Sequence, residues 1–344
     1  MNSTIKKMKT MINSSITISQ AVDFFKNNDN FTLICHSNPD GDTLGSGYGL
    51  CGALHILGKR ARLICDDPAS PRFDYLLEAV RPELLEFPTE HEKVVTVDVA
   101  DVELIGSLKE KYPQIDLCID HHISNTYYAK QTLLDTGAAA CAELTWELIK
   151  ALFGGNLDSV GGNISGISRI CAAIYTGVST DTGCFRYANT TSKTHSIAAE
   201  LMSYQFDVAK INYLMFEMKT RQRIQLEQQA FTGIEFFFDG RCAMVTFTAD
   251  MLEGIDPEDA GNVSVLPKQI EGVDIGVTIK ERIKNNIRKW KISIRTSNVI
   301  NAQLVCSGLG GGGHVCAAGC TLTGELETVK SKVLKEIEKQ IRGG

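Results

Sequence analysis

The chain has 344 residues, enough for two domains with separate cores. Hydrophobic residues make up 43%, charged residues 22%, and the net charge is −6, so no global basic field draws in nucleic acid and any anionic substrate must be caught locally. No window is apolar for long enough to span a membrane, no apolar run follows the N-terminal lysines as a secretory signal requires, and the eleven scattered cysteines, without a CxxC pair, read as reduced thiols of a cytoplasmic protein.

Residues 1 to about 18 read as a ragged start. ISQAVDFFKNN then has helical spacing, with Ser19 as the expected N-cap. Short apolar runs come next: FTLIC, ARLIC, KVVTVDV and DLCID. Helix-like segments trail them, including LGSGYGLCGALHILG and CAELTWELIKALF. CAAIYTGV reads as a further strand or equally as a buried helix. The alternation predicts an α/β domain, a mostly parallel sheet flanked by helices. Ser192 to Gln229 reads helical, its charged, Gln-rich second half forming the connection to a second domain. Beyond Gln229 the pattern changes. GIEFFFDGRCAMVTFT predicts a hairpin turning at Asp239-Gly240, and VDIGVTIKERIKNNIRKWKISIRTS a second one turning near Asn285-Asn286. A glycine loop and a last helix, about Gly324 to Gln340, complete a smaller α+β domain. The expected division is 19–205 for the first domain, 206–229 for a helical linker and 230–344 for the second domain.

Acidic and histidine residues gather at the ends of the apolar runs. FTLIC leads into His36, Asp40 and Asp42; KVVTVDV carries Asp98; DLCID ends in Asp120, followed at once by His121 and His122; YTGVST ends at Asp181. In an open parallel sheet the C-terminal strand ends converge on one crevice. Carboxylates crowded there repel one another and drift toward protonation unless cations intervene. Imidazole and carboxylate together suit Mn²⁺, Fe²⁺ or Zn²⁺ better than Mg²⁺ or Ca²⁺. The ligands are too many for one ion, but suit two ions sharing a carboxylate, an arrangement that activates water and braces a phosphoryl group.

Taken together, HSNPDGDTLGS, VDVAD, DHH and GVSTDTGCFRYANTT, with GGGGHVCAAG near the end, resemble the motifs of the DHH phosphoesterase superfamily and its DHH-associated C-terminal domain. Order, spacing and length are most similar to the two-domain branch of oligoribonucleases (nanoRNases) and pAp phosphatases. The resemblance implies that His36, Asp40 and Asp98 hold one metal, and that Asp42, Asp98, His121 and Asp181 hold the second. Asp120 then orients a histidine and His122 faces the scissile phosphate, so that His122, Asp98 and Asp120 are the expected catalytic residues. Asp101 is either a further supporting group or the start of the next helix.

For substrate binding the same resemblance points to Ser46, Arg295, Ser297, Gly311, Gly312, Gly313 and His314. A glycine run lets backbone amides approach an anion. In KWKISIRTS the two-residue period puts Trp290, Ile292 and Ile294 on one face and Lys291, Ser293, Arg295 and Ser297 on the other. Seven Lys or Arg and one Glu fall between Lys280 and Arg295. The implied activity is Mn²⁺-dependent hydrolysis of short oligoribonucleotides to 5′-mononucleotides, with two ions and with Mg²⁺, Co²⁺ or Fe²⁺ as alternatives. Conversion of pAp to AMP and cleavage of linear dinucleotides accompany it. Metal centre and end-gripping site are expected to measure a short substrate between them. With only 7% aromatics, a long stacking groove is not expected. The alternatives are a pyrophosphatase or exopolyphosphatase, and a nucleotide-binding sensor without turnover. The expected partners are short RNA, dinucleotides and pAp, with no membrane and with homodimerisation left open.

Overall fold

Helix α1 (Ile18–Asn27) starts earlier than the sequence suggests, because Thr17 rather than Ser19 caps it. The Thr17 hydroxyl accepts from the Gln20 amide at 3.3 Å, and the Gln20 side chain accepts from the Thr17 amide at 2.9 Å. Such a reciprocal box needs a polar partner three residues on. Ser19 would have found Val22 there. The computed structural model describes residues 15–86, 89–155, 157, 164–255, 257–284, 287–297 and 300–342. The turn expected near Asn285-Asn286 and most of the ragged start lie outside them. The chain divides into two units, Met1–Met218 and Lys219–Gly344.

In the first unit the four apolar runs become strands β1 (Phe31–Ile34), β2 (Ala61–Ile64), β3 (Lys93–Val97) and β4 (Leu117–Asp120). A fifth strand, β5 (Gln131–Leu134), is short and opens on a polar residue, which hides it in the sequence. All pairings are parallel, in the order β2-β1-β3-β4-β5. Strands β1 and β4 are buried along their whole length, which is why they read as continuous apolar runs rather than alternating ones. Helix α2 (Gly41–Ile56) links β1 to β2, and helix α3 (Cys141–Leu152) follows β5. CAAIYTGV is helical, part of α4 (Ile164–Asp181). Helix α5 (Ser192–Met202) opens the helical stretch expected to run to Gln229. That stretch is broken at 203–207 and at 218–220, and between the breaks lie a short helix (Val208–Asn212) and a wider helical turn (Tyr213–Glu217).

Helix α2 is apolar and buried nearly all round, as a central helix must be. It packs so closely on α4 that a Cβ at Gly45 would lie 2.3 Å from the Ala173 carbonyl oxygen and 2.8 Å from the Gly177 nitrogen. Only glycine permits that approach, and the approach sets Asp42, at the start of α2, against the end of α4 that carries Asp181. Phe25, Phe31, Leu50, Leu54, Val95 and Trp146 belong to the core that fixes these layers.

The second unit begins with helix α6 (Arg221–Thr232) and carries a six-stranded sheet, β10-β11-β9-β8-β7-β6. Strands β6 (Glu235–Phe237) and β7 (Cys242–Phe247) form the first expected hairpin. Its turn runs through Phe238, Asp239 and Gly240, all at positive φ (54°, 55° and 85°). Strand β8 (Ile275–Lys284) lies parallel to β7, and β9 (Ile287–Thr296) lies antiparallel to β8. Helix α7 (Ala302–Ser307), the two-residue strand β10 (Gly312–Gly313), β11 (Ala317–Thr323) and helix α8 (Leu326–Arg342) complete it. Trp290, Ile292 and Ile294 are buried with Val305, Val329 and Val333, while Lys291 is exposed and Ser293, Arg295 and Ser297 half-buried, following the two-residue period. Among the described residues, no helix is long and apolar enough to cross a membrane, and no disulfide joins any of the eleven cysteines.

Candidate metal centre

Strands β1, β3 and β4 are consecutive in the sheet, so their C-terminal ends lie side by side. His36 follows β1 by two residues, Asp98 follows β3 directly, and Asp120 ends β4 with His121 and His122 next. Asp40 caps α2, its Oδ1 accepting from the Asp42 and Thr43 amides at 3.0 and 3.1 Å. The Thr43 hydroxyl donates to the Val97 carbonyl at 2.8 Å and ties the start of α2 to the end of β3. Asp181 is the exception to the strand-end expectation, being the last residue of helix α4.

The histidines are held so that one ring nitrogen faces the carboxylates. His36 Nδ1 lies 2.9 Å from the Ser37 carbonyl and His121 Nδ1 lies 3.1 Å from the Ala138 carbonyl. A carbonyl only accepts, so Nδ1 carries the proton in both and Nε2 keeps its lone pair. His36 Nε2 sits 3.6 Å from Asp40 Oδ1 and 3.7 Å from Asp98 Oδ2. His121 Nε2 sits 3.8 Å from Asp42 Oδ2, 3.6 Å from Asp98 Oδ1 and 3.6 Å from Asp181 Oδ2. His36, Asp40 and Asp98 thus form one group able to hold a metal ion, and Asp42, His121 and Asp181 another, with Asp98 reaching both. A third grouping, Asp98 with His121 and His122, is weaker, because the His122 Nδ1 that lies 3.5 Å from Asp98 is engaged by Asp120 at 2.7 Å.

The electrostatics of the group call for cations. Burial pushes Asp98 well above the ordinary carboxylate range, and repulsion from Asp42, Asp40 and Asp181 adds to it. The residue is only 3% exposed, and its Oδ1 is buried with no hydrogen-bond partner among the described residues. Burial and then Asp181 push Asp42 up to about 7, and burial and then Asp40 push Asp181 up to about 6. Asp42 is anchored at the N-terminus of α3 by the amides of Cys141 (2.6 Å) and Ala142 (2.9 Å), where the helix dipole favours a negative charge. An orphaned carboxylate oxygen amid three such acids and two aimed imidazoles matches the donor set of a divalent site.

Asp120 is fully buried and does not join the ligand groups. Its Oδ1 accepts from the His121 amide (2.8 Å) and lies 2.7 Å from His122 Nδ1, and its Oδ2 accepts from the Asn125 side chain (2.7 Å). Burial opposes ionisation, but His122 and Asn125 outweigh it and hold Asp120 below the usual carboxylate range. In turn Asp120 raises the pKa of His122 and leaves Nε2 directed away from it. Asn125 was not anticipated from the sequence; its only signal is an Asn in a turn three residues after His122. Replacing it by Ala should lower turnover about 10- to 100-fold, the usual effect of losing a group that orients a metal-site residue. The stabilisation that Mn²⁺ gives in thermal melts should remain, because no ligand is removed. An equal loss of both would place Asn125 among the groups that build the site itself.

Asp101 turns out to start a helix, its carboxylate accepting from the Glu103 amide at 2.9 Å. Ser46, expected at the substrate, is fully buried, and its hydroxyl donates to Asp42 Oδ1 at 3.1 Å, so it steadies a carboxylate instead.

Residues 30–178 match the family model described as DHH family, N-terminal domain, and residues 244–343 match the DHHA1 domain. A Thermus thermophilus protein named bifunctional oligoribonuclease and PAP phosphatase NrnA is 30% identical over 311 residues, covering 90% of this chain and 89% of the relative. The chain belongs to the DHH family. It falls in the branch whose named members are oligoribonucleases and PAP phosphatases, and is a hydrolase of phosphoester bonds. Proteins of the same name from Mycoplasma pneumoniae (25% identity, 97% of this chain and 99% of the relative) and Bacillus subtilis (26%, 86% and 90%) are also similar. In fold, the chain resembles an exopolyphosphatase-related protein from Bacteroides fragilis (TM-score 0.78, 20% identity, covering 94% and 95% of the two chains). It also resembles exonuclease RecJ bound to manganese (TM-score 0.51, 12% identity, 94% of each chain).

In the DHHA1 domain, Arg295 is half-buried beside Ala317 of β11, with Nη1 donating to the Ile294 carbonyl at 3.1 Å. Ser297 donates through its amide to the Asp274 carbonyl at 3.1 Å. The glycine run is less free than its composition suggests. Gly310 and Gly311 amides cap α7 through the Ser307 and Cys306 carbonyls, and the His314 amide donates to Ala317 at 2.8 Å. Gly313 lies at φ 143°, where a Cβ would meet the Ala317 oxygen at 2.6 Å. Gly312 and His314 are exposed. Much of this motif therefore serves chain geometry, and the part it offers to a ligand is narrower than four open amides.

Proposed function

We propose that this DHH-family protein is a two-metal, Mn²⁺-dependent phosphoesterase that hydrolyses short oligoribonucleotides to 5′-mononucleotides. It also removes the 3′-phosphate of pAp and cleaves linear dinucleotides. The observation that carries the reading is the pair of ligand groups joined at Asp98, next to a histidine oriented by Asp120, in a chain similar over nine-tenths of its length to relatives named for those activities. His36, Asp40 and Asp98 would hold one ion and Asp42, Asp98, His121 and Asp181 the other. Divalent ions bound there would supply the Lewis acidity that activates water and neutralises phosphoryl charge. The protein's own part is positional. Carbonyls of Ser37 and Ala138 fix the imidazole tautomers of His36 and His121, the α3 amides and Ser46 hold Asp42, and Asp120 accepts from Nδ1 of His122 and favours its doubly protonated form, so that the ring presents Nε2–H to a phosphate oxygen. Arg295 and Ser297, with Gly311, Gly312, Gly313 and His314, grip the terminal nucleotide, Arg through a planar fork suited to phosphate and base.

A panel of a dinucleotide, a pentanucleotide, pAp and pyrophosphate, assayed with Mn²⁺, tests the reading. Mononucleotide release from the RNAs and AMP release from pAp are expected. Turnover of pyrophosphate alone would overturn the assignment in favour of a phosphoanhydride hydrolase.

A further inference from the structure

One face of the second unit's sheet collects cations that, among the described residues, lack counter-charges. Strands β8 and β9 pair antiparallel with Lys280 opposite Lys291, Arg282 opposite Lys289 and Gly276 opposite Arg295. Partners directly opposite share a face. On that face β9 shows Lys289, Lys291, Ser293 and Arg295, while β11 sets Thr323 beside Lys289 and Thr321 beside Lys291. The one acid of the two strands, Glu281, points to the other face, where Arg288 meets its Oε1 at 2.6 Å. Among the described residues, Arg282, Lys289, Lys291 and Arg295 have no carboxylate within ion-pair distance.

Like charges opposite one another destabilise a strand pair, so the arrangement works against the fold unless something anionic answers it. Lys280 registers the field. It is 7% exposed, its ammonium donates to the Ala260 carbonyl and to Ser264 Oγ, and its pKa falls to about 8 through burial, Lys291, Arg282 and Arg295. The whole chain carries −6, so this positive face is a local construction rather than part of a basic surface.

We propose that Arg282, Lys289 and Lys291 form a phosphate track that continues from Arg295 and binds the phosphodiester backbone of an oligoribonucleotide beyond its terminal nucleotide. The proposal rests on the oligoribonuclease reading. Residues of one face recur every second position, about 7 Å apart along a strand. Along β8 and β9, lysines, arginines and hydroxyls recur on that face without an aromatic ring, so contact with these two strands is electrostatic and indifferent to base sequence. Phe247, opposite Lys280 on β7, is fully buried and offers no stacking surface. The track explains how a substrate longer than a dinucleotide gains affinity without a stacking groove.

The test compares wild type with the double variant Lys289→Gln/Lys291→Gln and with Arg288→Gln from the opposite face. The readouts are KM for a pentanucleotide at several salt concentrations and anisotropy of a labelled pentanucleotide in EDTA, where turnover is absent. The double variant should raise KM about tenfold with kcat kept, and flatten the salt dependence by on the order of one unit of log–log slope. Arg288→Gln should change neither. Equal KM and anisotropy in wild type and double variant, or an equal loss in Arg288→Gln, would overturn the track. A wild type that hydrolyses no RNA at all would instead sink the oligoribonuclease reading, and the anisotropy arm would still decide whether the face binds.

Discussion

Asp98→Asn should lower phosphoester hydrolysis by at least about 10³-fold while the metal-free protein becomes more stable. The two effects have one cause. Asp98 lies in reach of both His36 and His121, so removing its charge disables both ligand groups together. A metal centre contributes several kcal/mol to the transition state, and each 1.36 kcal/mol or so is a factor of ten. In the metal-free state, however, the same carboxylate is a buried acid with an unpartnered oxygen among like charges. An unsatisfied buried group of this kind destabilises by about 1–3 kcal/mol. Asn is the right replacement because Asp98 sits at φ 60°, a left-handed conformation that Asn tolerates and most residues resist. Thermal melts in EDTA should therefore rise by a few degrees, about 2–4 °C per kcal/mol for a unit of this size. Added Mn²⁺ should no longer stabilise the variant. Wild-type turnover in Asp98→Asn would end the two-ion assignment.

Without divalent metal, the wild-type protein should melt at lower temperature as pH rises from about 4 to about 7, and Mn²⁺ should stabilise it more at pH 8 than at pH 5. Unfolded aspartates titrate near 3.9. In the folded protein burial and mutual repulsion hold Asp42 up to about 7 and Asp181 up to about 6, and Asp98 is raised as well. Below about pH 4 both states keep the protons, and stability is unaffected. Between the unfolded and folded values only the unfolded chain releases them, so stability falls with rising pH, on the order of 1.4 kcal/mol per unit for each group. His36 and His122, raised by their carboxylate partners, act in the same direction. Asp120 and Asp40, both held low, lose their contributions only as pH drops below about 4, outside this window. A metal binds the ionised carboxylates and so removes the penalty where it is largest. A metal-induced shift that does not vary with pH would contradict the charge assignments.

Much of the candidate metal centre was legible in the chain. His36, Asp40, Asp42, Asp98, Asp120, His121, His122 and Asp181 are brought to one place because three of the four segments are apolar runs that end in acids or histidines. Parallel strands with buried faces align such ends. The α/β class followed from the same alternation, and the outward face of β9 from its two-residue period. These features are local: strand, turn and ligand lie within a dozen residues of one another.

Other features needed partners distant in sequence. CAAIYTGV read equally as strand or helix because a fully buried segment of either kind is apolar throughout. Its packing on α2 through Gly45 made it helix α4 and delivered Asp181 from a helix end. The resemblance placed Ser46 at the substrate, whereas in α2, buried nearly all round, its hydroxyl is committed to Asp42. Asn125 became meaningful only beside Asp120, and the glycine run lost free amides to the end of α7. The sequence by itself determined which residues could bind metal and that the chain contains a local basic stretch. The tertiary structure alone decided which carboxylate is orphaned, which acid serves a histidine instead of an ion, and that Glu281 faces away from the cations it adjoins. Burial and hydrogen bonding depend on what lies across the layer, and no pattern within a short segment reports that.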